Sequence, residues 1–524
     1  MRNPEFLLRG GFAVLATALL AFNLSTHRRV SADAAPDADA RVVLQSGEPV
    51  GKLNFQITEA VSGRYLPARL YFDHAGGGEP PVVGRWENYL VTHSGREEKV
   101  LPAGDYAVYI SRGTEYSLDR QQIRIEAGKT TYLDSTLEPV IETDGFISAD
   151  CHLHLTFPLR EGAIVAAAEG IDLLTATDHN ILKDYSPYIR QLNLQQFLQS
   201  TIGAEIDTAF GHFNSFPLEV NRWKDRSFRH SIRTPSEFFR LIRLDPGEEI
   251  IQVNHPRRWD PNPRSGYFDT RLDPKSGDYD PAFFDGSFDQ FEVFNMLTDQ
   301  TEDRIGRTEV VDQKLLDWYR FLNKGVLVAG VANTDAHGYP DHVPGYPRNY
   351  IQSVTDNPWE IDPEAVVTAL KSRAATTAHG PYIHLTGDGA PVGSLVPDTD
   401  GSVTLRIDVQ SPKWVPVETV EVIRNGEVLT TYEVNAPAVE DKALRFAAEL
   451  IVKPKRDSWY AVIASSEKRW GTPFDNYSSF SFTNPIFVDA NGNGYFDPPE
   501  AQRQAGRRTN GSLLKASSRQ WLGD

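Results

Sequence analysis

The chain has 524 residues, a formal net charge of −18 and a single cysteine. Its length allows several domains, and one cysteine excludes an intrachain disulfide. The acidic balance excludes nucleic acid as a default partner, because phosphate backbones are held by basic surface.

Residues 1–34 read as an export signal. Arg2 and Arg9 precede an apolar run over residues 11–24, and Ala32-Asp33-Ala34 offers a small-residue cleavage site. The run falls short of the roughly 20 residues that span a bilayer. A periplasmic or secreted protein with no membrane span after cleavage is expected; an uncleaved anchor is the alternative.

Residues 45–140 read as an all-β sandwich. Leu53, Phe55 and Ile57 alternate, as do Leu66, Ala68, Leu70 and Phe72, and later Tyr106, Val108 and Ile110. The pattern resembles the transthyretin-like, carboxypeptidase-regulatory sandwiches fused to exported enzymes, and it contains no catalytic set.

Residues 146–380 switch to alternating helix and strand. Helices are expected over 161–169, 236–243 and 308–324, the last with Val311, Leu315, Leu316, Tyr319 and Leu322 as its core stripe. A long Pro-, Gly- and Asp-rich loop is expected between Pro256 and Asp289, near the substrate.

This segment carries the chemistry. Asp150-Cys151-His152-Leu153-His154 ends an apolar run, and strand alternation puts Asp150, His152 and His154 on one face and Cys151 on the other. Two imidazoles one strand repeat apart can bind one ion, with a carboxylate behind them to fix the ring tautomer. Cys151 is then a small apolar residue beneath the site, not a nucleophile.

The same arrangement recurs four times at the ends of apolar runs: Asp178-His179-Asn180, Glu205 with His212, Asn254-His255-Pro256 and Asp335-Ala336-His337. Seven of the 13 histidines lie between residues 150 and 340, and only His230 falls outside these cassettes. Imidazole and carboxylate without thiolate suit zinc, manganese or iron.

Residues 383–488 return to β alternation, with Val403, Leu405, Ile407 and Val409 and a hairpin turn at Asn425-Gly426. The segment 489–500 fits an EF-hand calcium loop: Asp489, Asn491, Asn493, Asp497 and Glu500 supply side-chain oxygens, Gly494 the sharp turn and Tyr495 a carbonyl. Flanking helices are not expected, so calcium would act as a staple. The tail 501–524 reads as disordered.

The ordered set His-x-His, Thr-Asp-His, Gly-x-Glu, Gly-His, Asn-His-Pro and Asp-x-His resembles the polymerase-and-histidinol-phosphatase (PHP) metallohydrolase superfamily, and within it the CehA/McbA branch, named for a carbaryl esterase. The resemblance spans roughly residues 146–380. It implies a distorted (β/α)7-type barrel, flanked here by the two all-β domains, with metals at the C-terminal mouth.

It also implies that His152, His154, Glu205 and Asp335 hold one ion and that Glu205 bridges to a second held by His212 and His255. His179 and His337 resemble ligands of a third. Many relatives carry an aspartate shortly after His-x-His that completes the third site. Here the chain reads Thr156-Phe157-Pro158-Leu159-Arg160-Glu161; either Glu161 substitutes or only two ions bind.

The expected function is an exported metal-dependent hydrolase, attacking a phosphoester or a carboxylic or carbamic ester of a small-molecule or surface-derived substrate. His337 or His179 would protonate the leaving group. Arg257 would reach an anionic substrate or else form a surface salt bridge. The alternative is a non-enzymatic exported binding module with a metal-stabilised barrel.

Overall fold

The computed structural model describes residues 38–45, 47–155, 158–219, 234–244, 249–258, 266–301, 304–434 and 443–502. The expected export signal, and the tail beyond residue 502, lie outside the described residues.

Seven strands form the N-terminal β-domain: β1 (Val50–Glu59), β2 (Ala68–His74), β3 (Tyr89–Thr92), β4 (Arg96–Pro102), β5 (Gly104–Ser111), β6 (Asp119–Ile125) and β7 (Thr130–Leu137). They make two sheets, ordered β4-β1-β7 and β3-β2-β5-β6. Alternation is the cause: β1 buries Leu53, Phe55 and Ile57 and leaves Lys52 and Gln56 in water.

The central segment supplies β8 (Phe146–Leu153), β9 (Leu173–Ala176), β10 (Gln199–Ile202), β11 (Ala204–Thr208), β12 (Gly211–Phe216), β13 (Ile250–Val253), β14 (Gln290–Asn295), β15 (Ala329–Asn333), β16 (Arg348–Gln352) and β17 (Ala375–His379). The C-terminal segment adds β18 (Tyr382–Gly387), β19 (Ala390–Pro391), β20 (Leu395–Pro397), β21 (Val403–Gln410), β22 (Thr419–Arg424), β23 (Glu427–Glu433), β24 (Leu444–Val452), β25 (Ser458–Gly471), β26 (Phe474–Thr483) and β27 (Ile486–Asp489).

The expected (β/α)7-type barrel is not the architecture found. Such a barrel needs successive parallel strands, each followed by a crossover helix. Instead β11, β12 and β13 pair antiparallel, and only Gly203 separates β10 from β11. β16 runs antiparallel to both β8 and β17. The central strands fall into two sheets: five strands ordered β11-β12-β13-β14-β15, and an eleven-stranded sheet whose main path is β10-β9-β8-β16-β17-β26-β25-β22-β23.

That larger sheet passes from the central into the C-terminal segment through the antiparallel pair β17–β26. The two inner sheets meet through isolated bridges, Leu153 with Ala336 and His179 with Glu205. Site-bearing strand ends therefore face one another across a junction of two mixed sheets.

The helices follow their local signals. Leu159–Ala168 ends before Gly170, whose φ is +67°. Pro235–Ile242 is capped by Thr234, whose hydroxyl accepts from Glu237 N. Glu309–Lys324 ends at Gly325 in the left-handed region and buries Val311, Leu315, Trp318, Tyr319 and Leu322. Leu316, expected on that stripe, is exposed, and Trp318 takes the inward place.

The described parts of the loop between Pro256 and Asp289 are anchored by aromatics: Tyr267, Phe268, Phe284 and Phe288 pack with Phe291 and Phe321. The Asn425-Gly426 turn joins β22 to β23 with φ of +52° and +89°, as a type I′ hairpin requires.

A buried ion pair fastens the N-terminal domain to the centre. Arg69 of β2 lies 3.2 Å from Glu169 with both side chains at 0% exposure, and the Arg69 guanidinium stacks over Phe474 of β26. Removing one partner leaves a charge stranded in low dielectric. Arg69→Ala is expected to cost about 3–5 kcal/mol in urea unfolding, while Arg69→Met combined with Glu169→Leu recovers most of the loss. Equal midpoints for wild type and Arg69→Ala would contradict this.

Candidate metal centre

The cassettes read from the sequence come together. His152 and His154 stand at the end of β8, Glu205 and Asp207 on β11, His212 on β12, His255 just past β13, and Asp335 and His337 just past β15. His152, His154, Glu205 and Asp335 are all buried, with one donor atom from each lying within 4.8 Å of the others.

The individual separations are 2.9 Å for His152 Nε2 to His154 Nε2, 3.4 Å and 3.3 Å from His152 Nε2 to Glu205 Oε1 and Asp335 Oδ1, and 3.0 Å and 3.3 Å from His154 Nε2 to Glu205 Oε2 and Asp335 Oδ1. A tetrahedral zinc with ligands at about 2.0–2.2 Å has edges of about 3.3–3.6 Å, so the four donors fit around one ion. Glu205 Oε2 and Asp335 Oδ1 are buried without a hydrogen-bond partner. Buried carboxylate oxygens that face imidazoles and have no hydrogen-bond partner fit a cation-binding role.

Glu205 faces a second set of donors. His212 Nδ1 is 3.1 Å and His255 Nε2 3.3 Å from its Oε1, and His179 Nδ1 is 3.2 Å from its Oε2. Asp207, two residues along the same face of β11, lies 2.7 Å from His179 Nδ1 and 3.6 Å from His212 Nε2. His179, Glu205, Asp207 and His212 form a second group, and His154, His179 and His337 a third.

Glu161 does not join the third group; it pairs with Arg85 of the N-terminal domain at 3.2 Å. His337 directs Nδ1 to the Asp335 carbonyl at 2.8 Å, which fixes the proton there and leaves Nε2 as the ligating atom.

The electrostatics are those of a closely packed acid–imidazole cluster. Burial lowers the His154 pKa, but Asp335 and Glu205 outweigh it and bring it to about 9. Burial opposes the charged form of Glu205 as well, yet His152, His154 and His212 hold it well below the usual carboxylate range. An incoming cation therefore displaces protons from imidazoles that arrive charged.

Two expectations need correction. Asp150 does not orient the His152 ring: its oxygens accept from the backbone N–H of His152, Thr334 and Gly345 and from the Thr334 hydroxyl. The tautomer is set by Glu292, whose Oε1 lies 2.8 Å from His152 Nδ1. Glu292 sits mid-strand in Gln290–Asn295, away from any cassette, although a carboxylate inside a fully buried strand was the available signal.

Arg257 is the second. It is neither a substrate contact nor a surface salt bridge but is buried, forked onto Asp317 and bonded to the carbonyls of Phe268 and Leu272. Asp207 was missed because its cassette was read only through Glu205. His342, whose Nδ1 faces the His337 N–H at 3.4 Å, was missed as well, lying five residues beyond a cassette.

The backbone is strained where it presents ligands. His255 has φ +26° and Asp335 φ +55°, conformations costing about 1–3 kcal/mol for non-glycine residues. Glu292 Oε2 accepts the His255 N–H at 2.6 Å, holding one of these strained turns. Cys151 is buried among Ile147, Ala149 and Leu173 on the far face of β8, where burial pushes its thiol up to about 12.

In the calcium-like loop, Asp489 accepts N–H groups from Gly492, Asn493 and Gly494. The Asn491 and Asn493 amides both turn to Asp497 Oδ2. Asp457, from before β25, accepts from Ala490 N and Asp497 N. Contrary to expectation, a helical turn at residues 499–502 overlaps the last two positions of the loop. No described helix is long and apolar enough to cross a membrane.

No family model matches the chain, and no curated protein matches it. Among solved structures it is similar to the minor pilin GBS52 of Streptococcus agalactiae, at 19% identity over 18% of this chain and 47% of that one, TM-score 0.17. PsfC from Pseudomonas syringae PB-5123 gives 14% identity over 43% and 90%, TM-score 0.29. The apo β-glucuronidase 3 of Bacteroides uniformis gives 13% over 81% and 59%, TM-score 0.18. The chain thus spans about half of the pilin, and at these TM-scores none of the three carries an argument.

The finding is a buried His/Glu/Asp cluster able to hold metal ions. Glu292→Gln should weaken metal binding about 10–100-fold, the usual effect of losing a partner behind a ligating histidine, with far-ultraviolet circular dichroism unchanged. Undiminished zinc affinity in a chelator-competition titration would remove Glu292 from this role.

Proposed function

We propose that the protein is an exported metal-dependent hydrolase acting on ester bonds, with a site of the PHP type in the order and identity of its ligands. The observation that carries the reading is Glu205, which shares its two oxygens between the His152–His154–Asp335 group and the His179–Asp207–His212 group, with His255 beside it. A structural metal needs four ligands and a closed shell; this cluster offers eight further side chains around the Glu205 carboxylate.

Divalent ions held there would lower the pKa of a water and draw charge from the scissile oxygen. The chain supplies the rest. Glu292 and the Asp335 carbonyl fix which nitrogen of His152 and His337 carries a proton. His179 and His337, with side chains 40% and 36% exposed, are the imidazoles of the cluster most open to a substrate. Whichever of the two holds no ion can give a proton to the leaving oxygen from Nε2. The Asp207 carboxylate holds His179 in place for that role.

Glu205→Gln is expected to lower bound metal and abolish hydrolysis in a panel of phosphate and carboxyl esters with added Mn²⁺ or Zn²⁺, while the β-domains stay folded. Full activity with undiminished metal in that variant would refute the bridging role. Metal bound without turnover of any ester would favour the non-enzymatic binding module.

We further propose calcium in the loop 489–500, as a staple separate from the chemistry. It rests on the ligand spacing and on Asp489, Asp457 and Asp497 already organising the loop. Millimolar calcium is expected to raise the melting temperature, as a ligand of the folded state does, and Glu500→Ala to erase that rise. Melting that ignores calcium in the wild type would sink the staple.

A further inference from the structure

Strand alternation gives the β18–β21 pair one apolar and one polar face. Ile383, Leu385, Ile407 and Val409 enter the core of the C-terminal segment, so Tyr382, His384, Asp408 and Gln410 share the opposite face. Register sets Tyr382 opposite Gln410 and His384 opposite Asp408. That face floors a cleft of about 1020 Å³, walled on the other side by the stretch from Glu138 to Asp144 between β7 and β8. Ligand pockets run to roughly 1,000 Å³. Gln410 clasps the two sides, donating to the Glu142 carbonyl at 3.2 Å and accepting the Glu142 N–H at 2.9 Å.

The lining brings rings and carboxylates together. Trp414 stacks on Phe474 with centroids 5.4 Å apart, and its Nε1 donates to the Tyr116 carbonyl at 3.2 Å; the ring stays half-buried against the cleft. Tyr350 and Phe146 hold the Tyr382 ring at 4.7 Å and 6.2 Å. Tyr382 is 2% exposed and lines the cleft, and its hydroxyl has no hydrogen-bond partner among the described residues. A buried hydroxyl left unbonded is costly, so this one calls for a partner inside the cleft.

Glu138, Glu142, Asp144 and Asp408 line the same space, and among the described residues none of the four carboxylates is in an ion pair. Lys413, exposed, is the one lysine or arginine of the described lining. Single unpaired carboxylates are ordinary surface. Four of them converging on aromatic rings and a buried free hydroxyl are a more specific arrangement. An anion would be repelled there, and a neutral ligand would leave the charges unmatched. An amine or guanidinium gains charge-assisted hydrogen bonds from the carboxylates and a favourable contact with the rings.

We propose that this cleft binds a linear organic cation bearing two or more amine or guanidinium groups. Its charges meet Asp408 on one wall and Glu142 and Asp144 on the other, its methylenes lie on Trp414, and the Tyr382 hydroxyl accepts one N–H. No residue of the metal cluster lines the cleft, so the proposal stands apart from the hydrolase reading.

The test is calorimetric titration of the full chain with spermidine, trilysine and cellotriose at about 0.15 M salt, where diffuse surface attraction is screened. The wild type is expected to bind at least one of the two cations at one per chain and not to bind cellotriose. Tighter binding of spermidine marks a small polyamine as the ligand; tighter binding of trilysine marks a basic peptide. Asp144→Asn combined with Asp408→Asn should weaken binding at least tenfold at an unchanged melting temperature, and Tyr382→Phe should weaken it several-fold. The control, Glu79→Gln with Glu87→Gln, removes two exposed charges that line no part of the cleft and should leave affinity unchanged. The proposal is overturned if neither cation saturates, or if cellotriose binds instead. An equal loss in the control would also overturn it, reducing the effect to the net charge of −18.

Discussion

Glu292 is the constraint on which the centre depends. It is fully buried, and its two oxygens accept from the His152 ring, the His255 backbone and the amides of Asn295 and Asn333. Burial alone would push its carboxyl upward, but His152 outweighs that and holds it below the ordinary range, so it stays charged. A buried carboxylate is costly unless it is fully hydrogen-bonded. This one uses that requirement to fix a tautomer on β8, a strained turn after β13 and the chain direction between β14 and β15.

Behind the imidazoles and carboxylates, buried side-chain amides form a chain of mutual hydrogen bonds. Asn254 donates to Glu205 and Asn214, and Asn214 donates in turn to the Cys151 carbonyl. Gln252 bridges to Asn254 and Gln290. Such a network is rigid when complete, and rigidity is what lets His255 and Asp335 keep backbone conformations that a free chain would abandon.

Much of the site was legible because ligands recur at the ends of apolar runs, a local pattern. His152, His154, His179, Glu205, His212, His255, Asp335 and His337 needed no knowledge of pairing. Glu292 and Asp207 were not legible in the same way. A carboxylate inside a strand announces nothing until strand register shows which imidazole it meets. The Arg257 reading failed for the same reason, since position along the chain placed it beside the ligands but could not show Asp317 waiting 60 residues on. The barrel failed at a coarser level: helix and strand alternate in the sequence, but strand direction is a non-local property, and β12 and β16 run antiparallel to the strands on either side of them.

The shared sheet has a further consequence, one of timing. Asn484, just past β26, accepts the Gly330 N–H and donates to the Gly330 and Ala375 carbonyls, so it clasps β15 to β17 from the C-terminal side. β15 leads directly to Asp335. As the chain is made from its N-terminus, that clasp arrives about 150 residues after the candidate ligand Asp335, and β17, paired on one side with β16, has a free edge in the meantime, the kind that recruits stray strands. Until it arrives, the wall that carries Asp335 is held by β14 on one side and by the Asn349 amide on the other.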